Sequence, residues 1–371
     1  MERPRRVAIT LEQCWHTVPG GTARAALESI RALQAHVSPE RLDLVGVSAR
    51  HGSSPAPAWT PTIPVESLPL PRVALYESWH RLRRPTVERA TGPVDVIHAT
   101  GMAMPPPSAP IVVTVHDLAF LRNPDQFTRR GVRFFRRAIE LARRDATLVI
   151  CPSQATFDDC LTNGFDRARL RLVPWGIRAE PAGPSAVAGA RARFGISGPY
   201  VLWTGTIEPR KNLPGLLDAM ARADRSDVSL VLVGPQGWNE DLEDRLARLG
   251  ERVRVLGFVD GESLRALYAG AEVFCYPSIE EGFGLPVLEA MAQGTPVVTS
   301  AGTATAEVAG DAGLLVDPRD VEALASALGR LLDDPMARER IGTAGQRRAA
   351  ETFSWEATAD ALTAVYEEAA A

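Results

Sequence analysis

The chain has 371 residues, 45% of them hydrophobic and 23% charged, with a formal net charge of −4. That length is too great for one compact core and suits two domains, and the proportions are those of a soluble globular protein. No apolar run approaches the ~18–20 residues of a membrane-spanning helix.

The N-terminus, Met1-Glu2-Arg3-Pro4-Arg5-Arg6, leads straight into a strand and carries no signal-peptide core. The four cysteines (Cys14, Cys151, Cys160, Cys275) are scattered and form no Cys-x-x-Cys pair. That spacing argues against a zinc site or a disulfide framework and favours reduced thiols in a cytoplasmic protein. Charge is divided unevenly. Residues 1–178 hold 24 arginines against 16 acidic residues, while the remainder holds 17 basic against 29 acidic. All six histidines fall in the first part, so the halves read as different modules. A basic half is suited to an anionic acceptor or membrane surface, or is simply an arginine-rich solvated face.

In chain order, the first half predicts strands at Val7–Leu11, Leu42–Val47, Val94–His98, Ile111–Val115, Leu148–Cys151 and Leu170–Val173. Helices are expected over Thr22–Ala35, Ala74–Thr91, Thr128–Arg144 and Gln154–Asn163, and a loop over Gly52–Pro71. Gly176–Gly198, rich in Pro, Gly and Ala, reads as an inter-domain linker. The second half predicts strands at Tyr200–Thr204, Ser229–Val233, Arg252–Leu256, Val273–Tyr276 and Thr295–Thr299. It ends in helices over Pro318–Leu332, Pro335–Ala350 and Ser354–Ala370. Such alternation implies parallel sheets with helices on both faces. The expected fold class is therefore α/β, with two doubly wound Rossmann-like domains facing a cleft. The first spans residues 1–178 and the second 179–353, with a C-terminal helix over 354–371 that packs back toward the first. Ligands of such sheets sit beyond the carboxyl ends of the strands.

One segment carries the most chemical information: Glu281-Gly282-Phe283-Gly284-Leu285-Pro286-Val287-Leu288-Glu289. Pro286 suits the start of a helix, where its missing N–H costs nothing. The amides of Gly282, Phe283 and Gly284 then surround a helix N-terminus, which favours an anion. Glu281 and Glu289 can accept hydrogen bonds from hydroxyls. Amides for an anion between two carboxylates for hydroxyls describe a site for a sugar carried on a diphosphate. Reading the whole chain finds a single lysine, Lys211, in Gly205-Thr206-Ile207-Glu208-Pro209-Arg210-Lys211-Asn212, just beyond a predicted strand. A compact ammonium beside a forked guanidinium suits phosphate oxygens.

These motifs, in this order, resemble the retaining nucleotide-sugar glycosyltransferases of the GT-B fold, family four. The two-glutamate motif continues as Ala290-Met291-Ala292-Gln293-Gly294-Thr295-Pro296, and Thr114-Val115-His116-Asp117-Leu118 and Glu307-Val308-Ala309-Gly310-Asp311 are also similar to family segments. The resemblance implies transfer of a hexosyl unit, with GDP-mannose as the first donor to consider, onto a hydroxyl of a glycan, lipid or metabolite. It assigns His116, Glu281, Arg210 and Lys211 to the reaction. Gly205, Gly282, Phe283, Gly284, Leu285 and Glu289 join Arg210 and Lys211 around the donor, with Glu289 on the ribose. Gly20, Gly21 and Asp117 fall on the acceptor side. Thr206 stands where many family members carry an arginine. The base is expected near Gly257-Phe258-Val259.

No Asp-x-Asp run offers itself to a metal, and neither metal nor cofactor is expected beside the nucleotide sugar. His98, also at a strand end, reads as a structural residue. Basic residues lack interleaved aromatics, which argues against nucleic acid. The helix over 128–144, with seven arginines and an apolar stripe, either packs on its own domain or touches an anionic membrane peripherally. Two rival functions remain at this level: a non-catalytic nucleotide-sugar-binding subunit, and a nucleotide-sugar epimerase of the same fold.

Overall fold

The computed structural model describes residues 3–223, 225–235, 237 and 242–371. The chain divides into two compact units, residues 1–176 with 355–371, and residues 177–354. The second unit is thus inserted between the body of the first and its last helix.

The sheet of the first unit contains β1 (Arg5–Thr10), β2 (Leu42–Ser48), β3 (Val65–Ser67), β4 (Val96–Ala99), β5 (Ile111–Thr114), β6 (Ala146–Cys151) and β7 (Leu170–Leu172). Their order is β3-β2-β1-β4-β5-β6-β7, and every neighbouring pair is parallel. Strands β4 and β5 are buried along their whole length. That burial explains why they read as unbroken apolar runs rather than alternating ones. The second unit contains β8 (Tyr200–Thr204), β9 (Ser229–Val233), β10 (Val253–Gly257), β11 (Val273–Tyr276), β12 (Val297–Ser300) and β13 (Leu314–Val316). Their order is β10-β9-β8-β11-β12-β13, again parallel throughout. In both sheets the winding direction reverses beside the first strand, between β1 and β4 and between β8 and β11. The loops leaving those strands diverge, and the crevice that opens there is where a doubly wound sheet binds ligands.

Four expectations need correction. The helix expected over Ala74–Thr91 is two helices, Arg72–Arg81 and Glu88–Thr91. Pro85 cannot continue a helix and disfavours helical backbone at Arg84, and Arg83 turns to φ 55°. The Gly52–Pro71 loop contains β3, a short edge strand in a polar context. The Gly176–Gly198 linker holds the helix Pro184–Arg193, whose proline lies in its first turn. Strand β13 was not expected at all, because Gly313-Leu314-Leu315-Val316-Asp317 is too short to carry a period.

The terminal helix Trp355–Ala369 packs in the first unit. Thr358 donates to the Pro174 carbonyl at 2.9 Å, and Arg41 donates to Glu367 at 2.7 Å. The helix also brings the Tyr366 hydroxyl 2.8 Å from His98 Nδ1, while His98 Nε2 lies 2.8 Å from Thr114 Oγ1. Both ring nitrogens are therefore used, as a structural histidine requires. The helix Arg129–Asp145 likewise buries Val132, Ala138, Ile139, Leu141 and Ala142 in its own unit. All four cysteines are buried and unbridged. No helix among the described residues is long and apolar enough to cross a membrane.

Burial, with His116 adding a little, presses the His98 imidazole from 6.5 down to about 3. Its folded pKa thus lies below its unfolded one, so the unfolded chain binds the proton first. The contribution is complete above about pH 6.5 and is lost as pH falls toward 3. Replacing His98 with Gln should flatten the fall in melting temperature between about pH 6.5 and pH 5, above most carboxylate titration. Parallel curves for variant and parent would contradict this assignment.

Candidate functional site

In the second unit, chemistry gathers at the β8/β11 reversal. Beyond β8 the chain runs through Gly205 and Ile207 into the turn Pro209–Lys211, which Asn212 ends in the left-handed region at φ 51°. Pairing holds this loop from below: Gly205 N–H donates to Val233 O at 2.9 Å and Ile207 N–H to Pro235 O at 3.1 Å. The turn carries Arg210 and Lys211 to the end of β11. There Ile279 N–H donates to the Arg210 carbonyl at 2.8 Å, and the Ser278 hydroxyl oxygen lies 2.9 Å from the same carbonyl.

The side chains meet on Glu281. Its Oε1 accepts from Lys211 Nζ, from the Tyr276 hydroxyl at 2.8 Å and from the Ser278 hydroxyl at 3.0 Å. Its Oε2 lies 3.7 Å from Arg210, whose Nε donates to buried Glu208 at 2.6 Å. Burial by itself raises the Glu281 pKa. The charges of Lys211 and Arg210, with hydrogen bonds from Lys211 and Tyr276, outweigh that and hold it at about 2. Glu281 is therefore a carboxylate that can only accept hydrogen bonds. Burial also pushes the Lys211 ammonium below its usual 10.5, the Arg210 charge in the same direction, while Glu281 and Glu208 oppose. Ion pairing thus opposes the burial that disfavours charge on both groups.

The rest of the motif forms the start of the helix Leu285–Ala292. Gly284 caps it at φ 105°, a conformation that L side chains rarely adopt, and a Cβ there would lie 2.9 Å from Thr305 Cγ2. The amides of Phe283 and Gly284 donate to no acceptor among the described residues. Phe283 is buried against Phe353, ring centroids 5.8 Å apart. One turn on, buried Glu289 accepts from the Tyr268 hydroxyl at 3.0 Å. Tyr268 must then receive its own hydrogen bond from Thr204, 2.8 Å away.

In the first unit, His116 and Asp117 follow β5. His116 Nε2 lies 2.9 Å from the Thr100 carbonyl, which can only accept, so in the neutral ring Nε2 carries the proton and Nδ1 the lone pair. Burial lowers the His116 pKa against the raising effects of Thr100 and Asp117. Thr100 is itself held by Thr10 and by Gln13 Nε2, which donates to its hydroxyl at 2.7 Å. Asp117 accepts from Ala119 N–H at 3.1 Å, starting the short helix that follows. Gly20 and Gly21 open the helix Gly20–His36 and are exposed, with Gly20 at φ 68°.

The residues picked from the sequence thus divide into two groups. Arg210, Lys211, Glu281 to Leu285 and Glu289 gather in the second unit around the β8/β11 reversal, and Gly20, Gly21, His116 and Asp117 lie beyond strands of the first. Sequence reasoning missed Tyr276, Ser278, Glu208 and Tyr268. Tyr276 and Ser278 had a signal in their place, hydroxyls at the end of the apolar run Val273–Tyr276. Tyr268 lies on another helix, and only folding brings it to Glu289.

The fold and these strand ends define a glycosyltransferase of the GT-B type. Residues 198–334 match the family described as "Glycosyl transferases group 1", and residues 19–180 that described as "Glycosyltransferase Family 4". The O-antigen chain mannosyltransferase B of Escherichia coli is 35% identical over 272 residues, covering 70% of this chain and 71% of that protein. The MMP alpha-(1->4)-mannosyltransferase of Mycolicibacterium hassiacum is 37% identical over 281 residues, covering 71% and 66%. HepE of Anabaena, solved with UDP and glucose, superposes with a TM-score of 0.75 at 21% identity, covering 96% of this chain and 98% of that one. Sucrose-phosphate synthase from Thermosynechococcus elongatus gives 0.75 at 25% identity, covering 98% of both chains. The chain belongs to the family-four, group 1 glycosyltransferases.

The loop after β8 is packed too closely to accept a side chain beneath it. A Cβ on Gly234, at φ 138°, would lie 1.9 Å from the Gly205 carbonyl oxygen. Gly234→Ala should cost about 1–3 kcal/mol in denaturant unfolding from backbone strain alone. Unchanged stability would mean that the loop is not held as described.

Proposed function

We propose that the protein moves a hexosyl unit from a nucleotide diphosphate sugar to an acceptor hydroxyl with retention of configuration, GDP-mannose being the donor to test first. The observation that carries this reading is the Arg210–Lys211–Glu281 cluster beside the unengaged Phe283 and Gly284 amides. The names of the mannosyltransferase relatives support the choice of donor.

The diphosphate lies against Lys211, Arg210 and the amides of Phe283 and Gly284. An arriving diphosphate gives Lys211 a second anion in place of, or beside, Glu281. Negative charge grows on the departing phosphate as the glycosidic bond breaks, so fixed donors there favour the transition state over the bound substrate. Glu281, ionised and accepting, holds hydroxyls of the transferred sugar. Glu289 holds the ribose, its position set by Tyr268. His116 presents a neutral imidazole to a sugar hydroxyl, Gly205 gives the donor close access to backbone, and Gly20 and Gly21 with Asp117 serve the acceptor side. In a front-face displacement the acceptor oxygen bonds to the anomeric carbon, the carbon–phosphate oxygen bond breaks, and the acceptor proton passes to the departing diphosphate. The cationic work falls to Arg210 and Lys211, with no resident metal. Intact Arg210, Lys211, Glu281 and Glu289 favour an enzyme over a binding subunit. An epimerase leaves the spacing of Glu281 and Glu289 without a purpose.

Thermal shift with a panel of nucleotide sugars identifies the donor: a ligand at 100 times its Kd stabilises by about 2.7 kcal/mol. GDP-mannose should give the largest shift, and a flat panel would remove the proposal. Truncating one member of a buried pair costs about 3–5 kcal/mol of stability. The activity test is therefore the double variant Lys211→Met with Glu281→Gln, which removes both charges together. Transfer should fall by at least ~10²–10³-fold while the variant remains folded. Near-normal turnover in that folded variant contradicts the assignment.

A further inference from the structure

The first unit contains a cavity of about 560 Å³ at the carboxyl ends of its central strands. That volume falls in the range of about 300–1,000 Å³ typical of sites for drug-sized molecules. Thr10 and Gln13 reach it from the end of β1, Ser48 and Ala49 from the end of β2, and His116 and Asp117 from beyond β5. Its side wall is aromatic. Tyr76 and Trp79 come from the helix Arg72–Arg81, and Phe134 and Phe135 from Arg129–Asp145. These rings support one another: Tyr76 stacks on Phe134 at 5.7 Å, and Phe120 lies against Phe135 at 5.1 Å. This apolar stripe was read from the sequence as a membrane or packing face, and part of it lines a cavity.

Two buried polar atoms at this cavity have no partner among the described residues. One is Oε1 of Glu12, a residue only 4% exposed. Its other oxygen is committed, accepting from Ala49 N–H at 2.7 Å and lying 3.0 Å from His51 Nε2. The second is Nε2 of His16. Burial, then the charges of Arg72 and His51, lower the His16 pKa, so its ring is neutral. Leaving a buried carboxylate oxygen unpaired costs stability, and a ligand that donates to it removes that cost.

A pyranose can set its C–H face on a ring but needs hydrogen-bond partners around its whole rim, and this aromatic side wall supplies few of them. A flat apolar body fits it, with aromatic stacking on the wall adding to what burial contributes. We propose that the cavity binds the acceptor, and that the acceptor is a hydroxylated aromatic small molecule, with a hydroxyl or amine donating to Glu12 Oε1. This inference rests on the glycosyltransferase reading above. An aglycone seated here lies beside His116 and Asp117, with another of its hydroxyls as the nucleophile. That oxygen bonds to the anomeric carbon, and its proton leaves with the diphosphate.

The test uses the full chain without donor and two neutral phenols, 4-methylumbelliferone and 1-naphthol, titrated by calorimetry against methyl α-D-mannopyranoside. At least one phenol should bind saturably and the mannoside should not. Glu12→Gln keeps a carbonyl for Ala49 but turns a donor toward the Oε1 position, and should weaken phenol binding roughly tenfold or more. Ala103→Trp fills the cavity and should abolish it. Thermal shift by the nucleotide sugar should be unchanged in both variants, which also shows that they are folded. Mannoside binding without phenol binding overturns this inference, as does phenol binding that ignores both substitutions. If the nucleotide sugar binds and neither phenol does, this inference fails and the glycosyltransferase reading stands. If the nucleotide sugar does not bind, that earlier reading fails.

Discussion

The buried charge cluster at the β8/β11 reversal is the constraint on which the second unit turns. Lys211 and Glu281 are both withdrawn from water, a placement whose desolvation cost ion pairing alone often fails to offset. The surrounding sequence makes it tolerable. Tyr276 and Ser278 donate to Glu281, and Glu208 holds Arg210 from the side. A sequence selected for stability alone has no reason to keep such a cluster, since apolar residues of similar volume often do as well. In the proposed function it is a preset field for a ligand that carries charge.

The scaffold explains why that field can be precise. Each charged group sits within a few residues of a buried parallel strand, so its backbone is fixed by the sheet rather than by a free loop. Gly205 and Gly234 let two such loops approach to backbone contact, and Gly284 lets the chain turn sharply into the helix Leu285–Ala292. The first unit repeats the arrangement with different chemistry. Its strand ends carry hydroxyls, a neutral histidine and an aromatic wall. One architecture thus supplies a buried charge cluster in one unit and an apolar cavity in the other.

Much of this was legible in the chain, for physical reasons that differ by element. Strands buried on both faces announce themselves as apolar runs, so Tyr200–Thr204, Ser229–Val233 and Val273–Tyr276 fall where the residues place them. Edge strands such as Val65–Ser67 and Leu314–Val316 are three residues long, and no periodicity survives at that length. The helix break at Pro85 was visible in principle, but the apolar positions on either side kept a helical spacing across it. The charged residues were conspicuous by type and motif. Their supports were not, because Tyr268 reaches Glu289 and Tyr366 reaches His98 only through tertiary packing. The cavity of the first unit had no linear signature: Glu12 and Phe134 are more than a hundred positions apart.

A crystal structure of the protein soaked with GDP-mannose tests the central claim most directly. The account predicts diphosphate oxygens within hydrogen-bond distance of Lys211 Nζ, the Arg210 guanidinium and the amides of Phe283 and Gly284, with the ribose on Glu289. A nucleotide bound elsewhere, with Lys211 still closed on Glu281 and no anion beside it, would contradict it.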